Sequence, residues 1–421
     1  MDYTPRVVDA TLNEILAELP AVVLEGAKGV GKTATASQYA RSIYRLDLRQ
    51  MNELASDDPS IVLEGTNPIF IDEWQLVPDV WNEVRRAVDE DMSPGRFIMA
   101  GSSSPRTDTR IHSGAGRMIR ITMRPMSLPE RQIEEPSVSL SDLLDGNADV
   151  SGNTELKLTD YVDEILSSGF PGIRQAKPSA RRRLVDSYIS QIVEHDVDEL
   201  GYSVRRPETL FHWLSAYGAA TSTTASYSSL LRAAAPGETS KPAKETGMAY
   251  RDLLTRMRLL DPLPAWTPGF AHLKRLGQSP KHHLTDPALA AGLVGSTKES
   301  LLHGQGPSAS SDGTFLGALF ESLAAQTVRV LADALGAKVS HLRTQGGDRE
   351  VDLIVERKDG KVLAVEVKLT TVIRPKDVAN LNWLKEQIGE RLVGKVILNT
   401  GELAYTRKDG VSVIPLALLG L

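Results

Sequence analysis

Ala21-Val22-Val23-Leu24-Glu25-Gly26-Ala27-Lys28-Gly29-Val30-Gly31-Lys32-Thr33 is the stretch on which the reading of this 421-residue chain turns. Four consecutive apolar residues are too few for a helix and suit a strand buried on both faces. The next eight residues match G-x-x-x-x-G-K-[ST] at every position, the pattern of a loop whose backbone N–H groups cradle phosphates. Glycines let that backbone wrap closely, and a helix opening behind the loop, expected over 32–42, turns its positive end to the anion. The cradle is then Gly26, Ala27, Lys28, Gly29, Val30 and Gly31. Lys32 reaches the β- and γ-phosphates, and the Thr33 hydroxyl ligates magnesium. ATP and Mg2+ are the cofactors this predicts.

A second stretch completes the chemistry. Pro68-Ile69-Phe70-Ile71-Asp72-Glu73 reads as an apolar strand ending in two carboxylates. At this distance from a phosphate loop, Asp72 holds the magnesium, directly or through water, and Glu73 polarises the attacking water. Another apolar run, at 97–100, follows an amphipathic helix at 80–88. Strand, helix and strand in alternation predict a three-layer α/β domain with a parallel sheet. Residues 1–20 read as a short helix with Ile15, Leu16 and Leu19 on one face, ending at Pro20.

These motifs together resemble the AAA+ superfamily of ATPases. In that superfamily the strand ending Ala100-Gly101-Ser102-Ser103-Ser104 carries a polar residue that senses the γ-phosphate, which the resemblance assigns to Ser102. Arg110, Arg117, Arg120 and Arg124 follow in a basic stretch. Ser113-Gly114-Ala115-Gly116-Arg117 resembles the loop that offers an arginine finger to a neighbouring subunit, so Arg117 is the candidate. The resemblance implies a ring-forming homo-oligomer, with a hexamer as the default.

Composition bounds the rest. The chain is 41% hydrophobic and 24% charged, as expected of a globular protein, with a net charge of −6 and no cysteine. Disulfides and thiolate metal sites are excluded; carboxylate-held metals are not. No run approaches eighteen consecutive apolar residues and the start lacks a signal-peptide pattern, so no membrane association and a cytoplasmic location are expected. The length predicts several domains. Residues 1–133 form the ATPase part, and 134–200 combine a polar, acidic insert, read as loop over 134–164, with a helical lid. Residues 201–303 resolve into two helices and a short strand of winged-helix-like character. A Gly/Ser-rich loop at 304–313 then leads to a second small α/β domain over 313–421.

That last part carries its own charged pattern. A helix at 315–335 holds Glu321. Gly346-Gly347-Asp348-Arg349-Glu350-Val351-Asp352 leads into one strand and Ala364-Val365-Glu366-Val367-Lys368 forms the next. Side chains repeat every two residues along a strand, so Glu366 and Lys368 share a face, and a hairpin brings Asp352 beside them. Two carboxylates there suit a metal, with the lysine activating water for phosphodiester attack. The pattern resembles the PD-(D/E)xK nucleases of restriction-endonuclease-like fold, although Val351 stands where the naming proline belongs. The resemblance assigns Asp352, Glu366 and Glu321 to the metal and makes Glu366 and Lys368 catalytic.

The order of parts also resembles a bacterial and archaeal family that joins an AAA+ ATPase to a C-terminal domain of unknown function. Tyr3-Thr4-Pro5-Arg6, Ser168-Gly169-Phe170-Pro171-Gly172, Leu284-Thr285-Asp286 and Leu316-Gly317-Ala318-Leu319-Phe320-Glu321 carry the likeness. Members often have Arg-Gln where this chain has Lys28-Gly29, two positions the phosphate pattern leaves free. The fold expected overall is α/β: a P-loop AAA+ three-layer domain, a helical lid and winged-helix middle, and a restriction-endonuclease-like C-terminal domain.

Residues 181–283 carry 14 Lys and Arg against 10 Asp and Glu, a local basic excess that suits DNA phosphates. Its clusters are Arg181–Arg183, Arg205-Arg206, Arg251, Arg256, Arg258 and Lys274-Arg275. Two readings stand: an ATP-driven enzyme that binds and processes DNA, branched or structured DNA included, and a nucleotide-dependent switch whose C-terminal part only binds a DNA or protein partner.

Overall fold

The structure, a computed structural model, describes residues 3–102, 114–197, 207–234, 244–268, 279–303 and 315–421. Ser103, Ser104, Arg110, Arg205, Arg206, Lys274 and Arg275 lie outside the described residues, as do the loops expected at 235–243 and 304–313. The chain divides into two compact units. The first comprises Met1–Pro125, His195–Val204 and Asp252–Leu259; the second comprises Met126–Glu194, Arg205–Arg251 and Leu260–Leu421. The segments expected as lid, winged-helix-like part and C-terminal domain therefore fall mostly within one unit.

In the first unit α1 (Val8–Glu18) leads to β1 (Ala21–Glu25), α2 (Lys32–Ser37), β2 (Ser42–Arg45) and α3 (Arg49–Asp57). Then come β3 (Ile69–Asp72), α4 (Asp79–Glu90), β4 (Phe97–Gly101) and β5 (Ile119–Thr122). The five strands form one sheet in the order β2-β3-β4-β1-β5, every pair parallel. Because side chains alternate along a strand, each inner strand feeds both faces. Ala21, Val23, Ile69, Ile71, Phe97 and Met99 pack with Val80, Trp81 and Val84 of α4. Val22, Leu24, Phe70, Ile98 and Ala100 pack with Leu12 of α1 and Ala36 of α2. Helices thus cover both faces of a buried parallel sheet, the three-layer arrangement expected.

Two local expectations fail here. Ile15 and Leu16 do pack on one core with the buried Leu12, whereas Leu19 is 38% exposed because it follows the helix, where the chain has already turned extended toward β1. The helix expected over 32–42 stops at Ser37, and Ser42–Arg45 is instead an edge strand paired with β3. Ile43 and Tyr44 suit a strand, but the partner that fixes them there is distant in sequence.

The second unit begins with β6 (Val138–Ser139) and α5 (Leu140–Asp145), then α6 (Leu158–Leu166), α7 (Pro171–Arg174) and α8 (Pro178–Gln191). The stretch over 134–164 is therefore not simply a loop. Val138, Leu140, Leu143 and Leu144 are buried, and β6 pairs with β13 (Leu419–Gly420) at the other end of the unit. Next come α9 (Pro207–Ala219), α10 (Tyr227–Ala233) and α11 (Lys244–Arg256), whose last turn belongs to the first unit. Antiparallel bridges then join Leu260 to Leu284 and Leu263 to Lys281.

After α12 (Pro287–Leu293) and α13 (Lys298–His303), the long α14 (Phe315–Ala334) precedes a six-stranded sheet. That sheet contains β7 (Lys338–Arg343), β8 (Glu350–Glu356), β9 (Val362–Lys368), β10 (Leu392–Asn399), β11 (Tyr405–Thr406) and β12 (Val411–Pro415). Its order is β11-β12-β10-β9-β8-β7. The β7-β8-β9 ladders are antiparallel, and β9, β10 and β12 run parallel. Helix α15 (Ala379–Ile388) buries Leu381, Leu384 and Ile388 against Ile354, Val362, Ala364 and Ile397. Helix α14 alone among the described residues is long and apolar enough to cross a membrane, yet 67% of its most apolar window is buried inside the unit. It is a core helix.

A buried ion triad holds the start of this unit. Arg131, whose side chain is fully buried, donates to the Glu164 carboxylate at 3.1 Å and to the Glu164 carbonyl at 2.8 Å, while Arg174 reaches the same carboxylate at 2.8 Å. Burial pushes the Glu164 carboxyl upward, but the two guanidinium groups outweigh it and hold it below its ordinary value. The contribution is therefore complete at neutral pH and is lost as pH falls through that lowered value. Glu164→Gln should cost about 3 kcal/mol by stranding a buried guanidinium. Urea unfolding of variant and parent at pH 7 checks this, and the difference should shrink in acid.

Candidate nucleotide site and C-terminal acid cluster

Parallel strands end on the same edge of a sheet, and open α/β sheets bind ligands outside those ends. In the first unit Leu24 of β1 and Asp72 of β3 both stand level with Ala100 of β4. The phosphate loop, the acidic pair and Ser102 therefore leave from three adjacent strand tips. Gly26 begins the loop because a Cβ there would lie 2.2 Å from the Met123 carbonyl oxygen. Gly31, at φ 104°, turns the chain into α2 through a backbone shape that side chains disfavour.

Lys32 is 4% exposed and donates to the carbonyls of Gly26 at 2.9 Å and Ala27 at 3.0 Å. Burial lowers its pKa to about 8, against the opposing pull of Glu73 and Asp72. Thr33 donates through Oγ1 to Asp72 Oδ2 at 2.8 Å. Burial raises the Asp72 carboxyl, only partly offset by that hydrogen bond, and Asp72 Oδ1 is buried without a hydrogen-bond partner. A hydroxyl and a carboxylate with one unused oxygen fit magnesium, which takes one or two protein oxygens and completes its shell with phosphate and water. Thr33 and Asp72 would hold it.

Glu73 sits at φ 52°, in the left-handed region, a local strain of the kind that gathers at functional sites. Its carboxylate accepts from Ser102 Oγ at 3.1 Å and from Gln75 Nε2, and Gln75 also reaches Ser102 at 3.3 Å. The structure thus brings Glu73 and Ser102 into one hydrogen-bonded group and adds Gln75, which no motif marks. Lys28 pairs with Asp196 at 3.0 Å and points away from the loop's interior. Arg117 pairs with Asp89 of its own chain. Arg120 bonds Glu25 at 2.7 Å and lies over the Trp81 ring.

The Tyr3-Thr4-Pro5-Arg6 landmark acquires a physical role. Arg6 is buried and donates to the carbonyls of Val30, inside the phosphate loop, at 2.9 Å and of Arg124 at 2.8 Å. Tyr3 bonds Asp9 at 2.7 Å and Thr35 of α2 at 3.0 Å. Two further landmarks meet in the second unit. The Asp286 carboxylate, fully buried, accepts from Gly169 N at 2.6 Å and Ser168 Oγ at 3.1 Å, and from Ala288 N at the start of α12.

The C-terminal residues converge differently from expectation. Glu321, Asp352, Glu366 and Lys368 do gather: Lys368 bonds Glu366 at 2.6 Å and lies 3.8 Å from Asp352. A lysine the motifs did not mark, Lys281, stands among them. Its ammonium lies 2.8 Å from Glu321, 2.7 Å from Glu350 and 3.0 Å from Asp352. Burial opposes its charge, but these acids hold its pKa well above the ordinary value. Among the described residues no group of three or more His, Asp or Glu is arranged to hold a metal ion. The donor chemistry suits magnesium, but a lysine cation already occupies the space between the acids. Glu321, Asp352 and Glu366 therefore do not fit as a metal-binding set.

The basic middle is also largely committed. Arg181 bonds Ser167 and the carbonyls of Ala176 and Arg174; Arg182 bonds Asp186 and the carbonyls of Ser296 and Gly292. Arg251 lies over the Tyr227 ring, and Arg258 pairs with Glu25. Arg183 is exposed.

A phosphate loop behind the second-outermost strand, an acid-tipped strand two places away and a polar group on the strand between them define a P-loop ATPase domain. Residues 18–132 match the family described as AAA domain, a match that supports ATP binding by this unit. Residues 158–300 and 316–419 match two domains of unknown function, DUF8612 and DUF4143. Uncharacterized proteins of Mycobacterium bovis and Mycobacterium tuberculosis are each 27% identical over 414 residues, which is 96% of this chain and 82% of theirs. Among solved structures, a Walker-type ATPase of Pyrococcus abyssi aligns with 69% of this chain and 99% of its own, at 15% identity and a TM-score of 0.39. The ORC2 protein of Aeropyrum pernix, solved with ADPNP and ADP, aligns with 68% and 90%, at 14% identity and a TM-score of 0.27.

Arg6→Ala removes the brace on Val30 without touching any group at the strand tips. Hydrogen bonds from a charged donor contribute about 1.5–3 kcal/mol, so ATP affinity should fall roughly tenfold or more. Calorimetric titration with ATP, alongside a circular dichroism check of the fold, measures it.

Proposed function

We propose that this chain is a magnesium-dependent ATP hydrolase whose turnover governs DNA binding by its second unit. The observation that carries the hydrolase reading is the joined group at the strand tips: Thr33 with Asp72, and Glu73 with Ser102 and Gln75. Lys32 and the loop N–H groups of Gly26–Thr33 bind the phosphates. Magnesium, when bound at Thr33 and Asp72, would neutralise charge on the β- and γ-phosphates. Glu73 accepts a proton from the attacking water, and Ser102 reports the γ-phosphate by competing for the Glu73 carboxylate.

In this reading the second unit supplies the output. Helices α9–α11 followed by the antiparallel bridges at Leu260–Leu284 and Leu263–Lys281 support a winged-helix-like module, and the mixed sheet with α14 supports a restriction-endonuclease-like fold. The exposed Arg183 and the basic residues outside the described segments supply the phosphate contacts. Arg117 acts as the finger for a neighbouring copy in a homo-oligomer, a hexamer by default. The second reading, a switch whose C-terminal part binds a partner without cleaving it, is favoured by the lysine lodged in the acid cluster.

Glu73→Gln should keep ATP affinity and lose about 10²–10⁴-fold in turnover, whereas Lys32→Ala should lose tight binding. Normal turnover by Glu73→Gln overturns the assignment of the base. DNA binding should weaken steeply with salt and respond to nucleotide; fluorescence anisotropy with linear and branched duplexes, with and without ATP, measures both. Salt-insensitive or absent binding leaves the switch with a protein partner.

A further inference from the structure

The C-terminal acids pose a problem of charge. Glu321, Glu350, Asp352 and Glu366 meet at the edge where β8, β9 and α14 come together, and Asp352 and Glu366 are buried. A buried carboxylate either pairs with a cation or keeps its proton. Lys281 arrives from a segment some seventy residues upstream of Asp352, with its side chain 1% exposed. An ammonium has three protons to donate, and three carboxylate oxygens surround this one at 2.7, 2.8 and 3.0 Å. The match of donors to acceptors is complete.

The lysine is also anchored. Lys281 N donates to the Leu263 carbonyl and Leu263 N donates to the Lys281 carbonyl, both at 2.9 Å, while His282 N donates to the Thr223 carbonyl at 2.8 Å. These bonds fix the backbone from which the ammonium reaches the acids. The acids are tied from the other side as well. Asp352 Oδ2 accepts from Val367 N at 2.9 Å, and Glu366 Oε2 from Lys368 at 2.6 Å. Both oxygens of Asp352 are thus committed, one to Lys281 and one to the backbone of β9. Glu366 Oε1 is the buried oxygen of this group without a partner, and the space between Glu321 and Asp352 is filled by the Lys281 ammonium.

We infer that Lys281 is the resident cation of this cluster, occupying the place between Glu321 and Asp352 that a divalent metal would need. The cluster is then a charge lock, joining the segment at 279–286 to α14 and β8, and not a metal-dependent phosphodiesterase centre. The inference stands apart from the ATPase reading, since every group in it belongs to the second unit. It bears on one of the two uses proposed for that unit, cleavage, and leaves binding to other residues.

The test uses the full chain without nucleotide and Mn2+ as a countable stand-in for Mg2+. Wild type and Glu366→Gln should retain the same free Mn2+ signal by electron paramagnetic resonance. Neither should cut DNA with Mg2+ or Mn2+. Lys281→Met, which keeps the side-chain volume and strands the acids, should lower the unfolding midpoint by ~10 °C, and added Mn2+ should recover part of the loss. If Lys281→Met does not fold, the lock is upheld, and the comparison of wild type with Glu366→Gln still decides the metal question. Mn2+ binding or DNA cleavage present in wild type and lost in Glu366→Gln overturns the inference. So does an unchanged midpoint in Lys281→Met.

Discussion

A parallel sheet brings the carboxyl ends of its strands to one edge, and the first unit depends on which strands are neighbours there. β4 lies between β1 and β3, so the phosphate loop and the acidic pair are separated by one strand width, about 4.8 Å on each side. That spacing lets Thr33 of α2 reach Asp72 across the gap and leaves Ser102, at the tip of the middle strand, in contact with Glu73. If β1 and β3 were adjacent, no intervening strand would present Ser102 between the phosphate loop and the acid. The buried faces of β1, β3 and β4 keep the order fixed, because each strand packs helices on both sides.

Around this edge the protein places charge where burial alone would oppose it. Lys32 is nearly buried and Asp72 is buried, and each shifts toward its neutral form. A triphosphate beside Lys32 and a cation beside Asp72 would each favour the charged form that burial opposes. Arg6 braces the same loop by donating to the Val30 carbonyl, so a buried charge helps hold the loop's shape.

The second unit handles its charges in the opposite manner. Arg131, Glu164 and Arg174 form one closed group, and Lys281 with Glu321, Glu350 and Asp352 forms another. Both draw their members from separate segments of the chain and tie those segments together through charge. Asp286 does the same with two backbone N–H donors and the Ser168 hydroxyl, joining Ser168-Gly169 to the start of α12. Breaking one partner of such a group leaves a buried charge uncompensated, so these groups give the unit a specific arrangement more than they add net stability.

The phosphate loop and the acid-tipped strand were legible in the chain itself because each pattern is contained within a few residues, whereas Ser102 was marked only through the family resemblance. The alternation of Glu366 and Lys368 on one strand was legible for the same reason, as was the hairpin that carries Asp352 to them. Short elements were not. Ser42–Arg45 and Val138–Ser139 become strands only because β3 and β13 lie alongside them, and no window of sequence contains both members of such a pair. Leu19 shows the same limit for burial, since its exposure depends on where the chain turns toward β1. Lys281 marks the largest difference. A motif lists the acids that attract a cation, but only the tertiary fold decides which cation arrives, because a lysine from a distant segment and a metal from solvent satisfy the same carboxylates.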